Sequence, residues 1–301
     1  MIRLGHGLPE GHPVHKAMVF MGEELEKNSK GKMKLQIYPS NQLGGERECL
    51  ELLQIGSLDI AKVSAYVLEN FDHRYKAFTL PYVFKNEAHR QKVLDGPVGQ
   101  DILNGSGHVF LRGLCFYDAG SRSFYTVEKP ISTPEDLDGL KIRVMQSHTA
   151  IEMVDNMGGN ATPIDFGELY SALQQGVVDG AENNPPSFYT SKHYEVCKYY
   201  TVNKHASVPD ILVLGTKTWE SLDPQQQKWL NDAALSSVPY QRKLWADFEK
   251  EAIQKLTEAG VEITYPDQKL FAEKVKSMHT SEYLGEELHA LFDKIQKEAQ
   301  N

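Results

Sequence analysis

The sequence predicts an α/β protein of two similar lobes facing each other across a cleft. Three observations carry that expectation. Helix and strand signals alternate through most of the chain, which favours a mostly parallel sheet covered by helices. The chain also echoes itself: "LLQIGSLDIA" at 52–61 aligns without a gap on "ALQQGVVDGA" at 172–181. Beyond residue 210 the alternation gives way to one apolar strand and then to long helices.

Taken in order, "MIRLGHG" reads as a strand. "GHPVHKAMVFMGEELEKNSKGK" reads as an amphipathic helix with Pro13 in its first turn and a stop at Gly31. "MKLQIYP" alternates with period two and closes at Pro39, as a strand does. "GGERECLELLQIGS" is a helix and "LDIAKVS" a strand. "NEAHRQKVLDGPVGQDILNGSG" is helical with a break at Gly96-Pro97, and "VFLRGLCFYDAGSRSFYT" is rich in strand signals. "TPEDLDG" opens a short helical turn capped by Thr133. The strand "GLKIRV", a helix over 147–157, a link "GGNATPID" and the helix "FGELYSALQQG" follow. "DILVLGT" is a strand. The long helix after it is expected to be interrupted near Pro239 and to stop at Gly260. "VEITYP" is a last strand before a charged helical tail.

In the echo, Leu53, Gln54, Gly56, Asp59 and Ala61 match Leu173, Gln174, Gly176, Asp179 and Ala181. "MKLQIYPS" and "GLKIRVMQS" then hold equivalent places one strand earlier in each lobe. Two copies exclude a solenoid and suggest paired lobes with a ligand cleft between them. The expected division is residues 1–122 plus about 211–250 for lobe I, and 123–210 plus about 251–301 for lobe II.

Composition narrows the function. A net charge of -9 and a pI near 5.7 argue against nucleic acid or an anionic membrane surface as partner. Any anionic ligand must therefore be drawn by local Arg or Lys. No apolar run reaches the roughly 20 residues that span a bilayer. No basic segment followed by an apolar one opens the chain, so the reading is a cytosolic protein or one from which a signal was removed. Cys49, Cys115 and Cys197 are far apart and odd in number, and read as buried small side chains rather than a zinc site or disulfide framework.

The chain lacks GxSxG and GxGxxG, and "LGHGLPEG" lacks the spacing of a phosphate loop. His12 and His15 have no third metal ligand nearby in sequence. His15 reads as a solvated helix residue; His12, at the helix mouth, can point into the cleft. No metal and no cofactor are expected. The best acid–base pair for an enzyme acting on sugar acids is Glu182 with Asp210.

A binding reading fits better. Polar residues that break the strand pattern cluster where strands end, the positions that line the crevice in open α/β sheets. Arg122 stands among small residues, Arg143 interrupts an apolar strand, and Asn183 and Asn184 precede Pro185-Pro186. Ser64 lies at the corresponding point of the other lobe. Two arginines, two amides and a hydroxyl suit a carboxylate that also bears hydroxyls, because guanidinium matches carboxylate through parallel hydrogen bonds. Each residue also has a plainer reading. Arg122 can be a surface residue. Arg143 can pair with Asp165 or Glu182. The asparagines can be turn residues. Phe166 and Tyr170 can be core, with Phe166 the better placed to reach a ligand.

"GKMKLQIYPSNQLGGERECLELLQIGSLDIA", "LPYVF", "TPEDLDGLKIRV", "TPIDFGELYSALQQGVVDGAENNP" and "KHYEVCKY", in that order, resemble the solute-binding proteins of tripartite ATP-independent periplasmic (TRAP) transporters, the DctP-type family. The resemblance runs from about residue 2 to 290. It implies a two-lobed periplasmic-binding-protein-like fold, each lobe a mixed, mostly parallel sheet flanked by helices, with a long helix bridging both. It implies a monomer in the periplasm that closes on a carboxylate-bearing organic acid and hands it to membrane permease subunits, without catalysis. Arg143 matches the family's carboxylate-binding arginine, Arg122 its second arginine, Phe166 its "PxxFxE" phenylalanine and Asn183 the asparagine after "DGxE". Asn184 would help to orient the solute. Ser64, His12, Glu46 and Asp210 would meet its hydroxyls from the other lobe on closure.

Ser64 stands where the sialic-acid branch has a glutamate, and "ENNPP" where that branch has "ENP". "GSRSFYT", the doubled asparagine and Asp210 resemble the branch that takes sugar acids, hexuronates such as glucuronate or galacturonate. A C4-dicarboxylate, a sialic acid or a keto acid are the alternative solutes. Docking to a sensor in place of a permease is the alternative role.

Overall fold

A computed structural model describes residues 1–299 of the chain. Among the described residues, eleven strands form two sheets: β1 (Ile2–Gly5), β2 (Leu35–Tyr38), β3 (Ile60–Ser64), β4 (Leu111–Tyr117), β5 (Arg122–Thr126), β6 (Lys141–Val144), β7 (Asn160–Pro163), β8 (Gly180–Asn183), β9 (Tyr199–Ala206), β10 (Asp210–Gly215) and β11 (Glu262–Thr264). The first sheet runs β2-β1-β3-β10-β4 and the second β11-β9-β5-β8-β6-β7. Each contains a parallel trio, β2-β1-β3 or β7-β6-β8, followed by an antiparallel strand, β10 or β5.

The chain passes between the sheets from β4 to β5, from β9 to β10, and through the long helix Pro224–Glu258 between β10 and β11. That helix packs on α1 (Pro13–Asn28), which flanks the first sheet, and on the helix Pro185–Thr190 of the second. α1 begins as the sequence requires: Pro13 sits in its first turn, where its missing N–H costs nothing. Val14, Ala17, Met18, Met21 and Leu25 then bury one face at helical spacing. Gly31 follows with φ +81°, a backbone that favours glycine.

The structure differs from the sequence reading in three ways. The "GGNATPID" link holds a strand, β7, and an eight-residue strand, β9, precedes β10. β7 is a half-exposed edge strand, so it lacks the apolar signal of a buried one. β7 also changes the match between the lobes. Parallel to β3 lies β1, and parallel to β8 lies β6, so the counterpart of β6 is β1; the counterpart of β2 is β7. In register, Gly5 pairs with Ala61 and Arg143 with Ala181. Arg143 thus stands where the first sheet has a glycine. Finally, the long helix runs through Pro239 unbroken. Proline removes the hydrogen bond to the carbonyl four residues back, here on Leu235, which is half exposed, so water can take its place.

The three cysteines are buried and free. One apolar core joins Ala61, Val63, Tyr66 and Phe78 to Ile142, Val144 and Met153, so the lobes share packing behind the cleft.

Candidate functional site

Between the sheets lies a cavity of about 700 Å³, part of it open to solvent. The chain builds it from strand ends. β3 supplies Lys62 and Ser64, β6 supplies Arg143, β8 leads into Asn183 and Asn184, and β10 begins with Asp210, in register with Ser64. β3, β6 and β8 present their C-terminal ends. The antiparallel β10 presents its N-terminal end, which brings Asp210 in.

Arg143 is 1% exposed. Its Nε donates to the carbonyl of Ile164 at 2.7 Å, and its guanidinium lies 5.8 Å from the Phe166 ring. Its Nη1 finds no hydrogen-bond partner among the described residues. The internal pairing with Asp165 or Glu182 does not form. Burial pushes the guanidinium pKa down, against the weaker pull of Tyr125, Glu182 and Asp165. An incompletely paired buried cation is costly, and an anion in the cavity would relieve that cost.

Arg122 behaves differently. It is buried, so the surface reading is corrected, and it already has a carboxylate. Its Nε donates to Glu182 Oε2, and its Nη2 donates to Glu182 Oε1 at 2.7 Å and to the Glu182 carbonyl at 2.9 Å. Its Nη1 donates to Asn183 Oδ1 at 3.1 Å. Burial alone would raise the Glu182 carboxyl. Arg122, with a hydrogen bond from His205 at 3.3 Å, outweighs that and holds it at about 2. Glu182 is fully buried and does not reach the cavity wall, so no Glu182–Asp210 acid–base pair exists there.

Asn183 Oδ1 also takes the Asn184 N–H, and Asn184 Oδ1 takes the Ser187 N–H at 2.8 Å as a helix cap. With both carbonyl oxygens occupied, the amide NH₂ donors are what these asparagines have left to offer.

The first lobe presents a different chemistry. Lys62 is buried, with its Nζ 2.8 Å from Glu46 Oε1 and 3.3 Å from Asp210 Oδ1. Burial would lower the Lys62 pKa, but Asp210 and Glu46 raise it further than burial lowers it. Glu46 Oε2 accepts the Ser64 N–H at 2.8 Å, and Ser64 Oγ accepts the Tyr66 N–H at 3.3 Å, leaving the serine proton free. Burial raises the Asp210 carboxyl to about 6, with Lys62 opposing and Glu46 reinforcing.

Sequence reasoning missed Lys62, although the signal was present: a charge between apolar Ala61 and Val63 in a strand, 120 residues before Glu182. It also missed the cross-cleft contacts. Asn41 Nδ2 donates to Asp165 Oδ1 at 3.0 Å, and Asn70 Nδ2 donates to the Gln146 carbonyl at 2.7 Å. Asn41, Asp165 and Gln146 all line the cavity. Arg143, Arg122, Asn183, Asn184, Phe166, Ser64, Asp210 and Glu46 line it too. His12 does not. It caps α1, and its Nε2 lies 3.3 Å from the Oγ of Ser187, which itself lines the cavity. Among the described residues no group of three or more His, Cys, Asp or Glu side chains is placed to hold a metal ion.

A family model described as bacterial extracellular solute-binding protein, family 7 (DctP), matches residues 4–286. The chain belongs to the DctP family. Among solved DctP-type structures, a TRAP periplasmic solute-binding protein from Anaerococcus prevotii with bound D-glucuronate superposes with TM-score 0.96 at 39% identity, covering 99% of this chain and 98% of that one. A TRAP protein from Bradyrhizobium sp. BTAi1 in complex with D-galacturonate gives TM-score 0.96 at 38% identity, covering 98% and 99%. The 2,3-diketo-L-gulonate-binding periplasmic protein YiaO of Escherichia coli is 30% identical over 276 residues, 90% of this chain and 83% of that protein. The two-lobed DctP architecture with its bridging helix is thus the fold of this chain.

Proposed function

We propose that this DctP protein captures a sugar acid, a hexuronate such as D-glucuronate or D-galacturonate, for a TRAP transporter. The observation that carries this reading is the polarity of the cavity. One wall holds Arg143 with an unpartnered buried Nη1. The facing wall holds Glu46 and Asp210 around the single charge of Lys62. A solute with a carboxylate at one end and hydroxyls at the other satisfies both walls. The carboxylate pairs with Arg143, while Asn183 and Asn184 donate to its neighbouring oxygens and Phe166 stacks beside it. Hydroxyls donate to Asp210 and Glu46, and accept from Lys62 and Ser64. A C4-dicarboxylate would press its second carboxylate against Glu46 and Asp210, where like charges repel. The bound sugar acids of the similar solved structures support the same reading.

Arg122 in this scheme is chiefly a support. Its pair with Glu182 fixes Asn183, and one Nη1 hydrogen is left for the solute. Residues 1–122 with about 211–250, and 123–210 with about 251–299, act as the two lobes; residues 300 and 301 lie outside the described structure. Closure is favoured because the solute bridges walls that belong to different lobes. The protein acts as a periplasmic monomer, releases its solute unchanged and docks permease subunits. Calorimetry with D-glucuronate, D-galacturonate, 2,3-diketo-L-gulonate, sialic acid and succinate tests the reading. Hexuronates should bind tightest, and succinate binding as tightly as a hexuronate would overturn it.

A further inference from the structure

We propose that His12 is a positioning residue: it holds the Ser187 hydroxyl across the cleft so that the hydroxyl proton faces the cavity as a donor to the solute. The proposal rests on the sugar-acid reading and adds to it a donor that sequence reasoning did not name.

The argument is one of proton placement. His12 Nδ1 accepts the Val14 N–H at 3.2 Å, because His12 caps α1. A ring nitrogen that accepts carries no proton, so a neutral imidazole has its proton on Nε2. The ring is neutral: burial first, then the charge of Lys62 and the neighbouring His6, His15 and Lys16, push its pKa well down. The Nε2–H therefore donates to Ser187 Oγ at 3.3 Å. The reverse bond would need the proton on Nδ1, which the Val14 N–H already occupies. A hydroxyl that accepts from His12 keeps its own proton for another partner. Ser187 Oγ has no second hydrogen bond among the described residues, and Ser187 lines the cavity beside Asn183 and Asn184.

The geometry also links donor to closure. His12 opens α1 on the first lobe, and Ser187 follows β8 on the second. The indole of Trp245, from the bridging helix, packs 5.8 Å from the His12 ring and limits its movement. The Ser187 proton is thus directed when the lobes stand as they do here.

Two measurements on the full chain test this. Calorimetry with D-glucuronate should show Ser187→Ala and His12→Leu each weakening affinity by roughly 3- to 10-fold, the range of one neutral hydrogen bond. The double variant should be no weaker than Ser187→Ala, since His12 acts only through the hydroxyl. His12→Gln, which keeps a donor near the Nε2 position, should recover most of what His12→Leu loses. Nitrogen-15 NMR of the wild type should find the His12 proton on Nε2. Additive losses in the double variant, or a proton on Nδ1, overturn the proposal. Wild-type binding that depends on Arg143 but ignores both single variants overturns it while leaving the sugar-acid reading intact. A wild type that takes no hexuronate sinks that reading instead, and the NMR result then decides the His12–Ser187 arrangement by itself.

Discussion

Glu182 grips Arg122 through both of its carboxylate oxygens, and this pairing leaves Arg143 as the buried guanidinium without a carboxylate. Two arginines that look alike in sequence therefore carry different work. One is closed by the protein and holds the site's shape, and the other is left for the solute.

Arg143→Ala should cost roughly 2–5 kcal/mol of hexuronate binding, the size of truncating one partner of a buried charge pair. Arg143→Met should lose binding similarly yet melt at or above the wild-type temperature without solute, because it removes a buried charge that lacks a protein counter-ion. Calorimetry and thermal melts check the two halves. A Met variant that is strongly destabilised would show that Arg143 is mainly structural.

Glu182→Gln should behave in the opposite way. Removing this carboxylate strands Arg122 in a buried position, at a cost of about 3–5 kcal/mol of folding stability. Urea denaturation would show the loss with or without solute.

Asp210 should make binding sensitive to mild acid. Its carboxyl, raised by burial to about 6, protonates as pH falls through that value and then accepts hydroxyl hydrogens poorly. Affinity should weaken between pH 7 and 5 in the wild type and stay flat, at a weaker level, in Asp210→Asn. For stability the sign is reversed. The folded pKa lies above the unfolded value of about 3.9, so the Asp210 contribution is present below about 3.9 and lost as pH rises through 6.

Buried histidines should dominate stability in acid. Burial holds His6 and His193 neutral, with pKa values near 3. The unfolded chain takes up those protons near 6.5 and the folded chain does not, so stability is full above 6.5 and falls as pH drops toward 3. Denaturation midpoints at pH 7.5, 6 and 5 should decline, and His193→Gln should flatten the slope.

Gly45→Ala should weaken binding without lowering the melting temperature. A Cβ at Gly45 would collide with Asp165 Oδ2 and would push away the segment that hydrogen-bonds Asn41 across the cleft. Stopped-flow release of solute should be faster in this variant, because the lobes would close less firmly.

Much of the frame was legible in the chain. The Gly56–Ala61 and Gly176–Ala181 echo marks β3 and β8, the equivalent strands of the two trios, each lying beside the antiparallel strand. Local chemistry fixed the helix starts, as Pro13 and Thr133 illustrate. β7 was invisible because an edge strand buries too little to need an apolar pattern, and missing it set β6 beside the wrong counterpart. Of the nine expected site residues, eight line the cavity and His12 does not; for Arg143 the readable signal was a charge inside an apolar strand, which burial makes costly unless something meets it.

The sequence by itself determined two α/β lobes, a cleft between strand ends and an arginine placed inside an apolar strand, because periodicity and misplaced charge are local properties. Only the tertiary structure decided which charges cancel. Arg122 and Glu182 are 60 residues apart, and Lys62 and Asp210 are 148 apart; whether such groups meet depends on strand order and register. It also decided that His12 meets Ser187 rather than the cavity, since that contact joins two helices, far apart in the chain, that both pack on the long helix between the lobes.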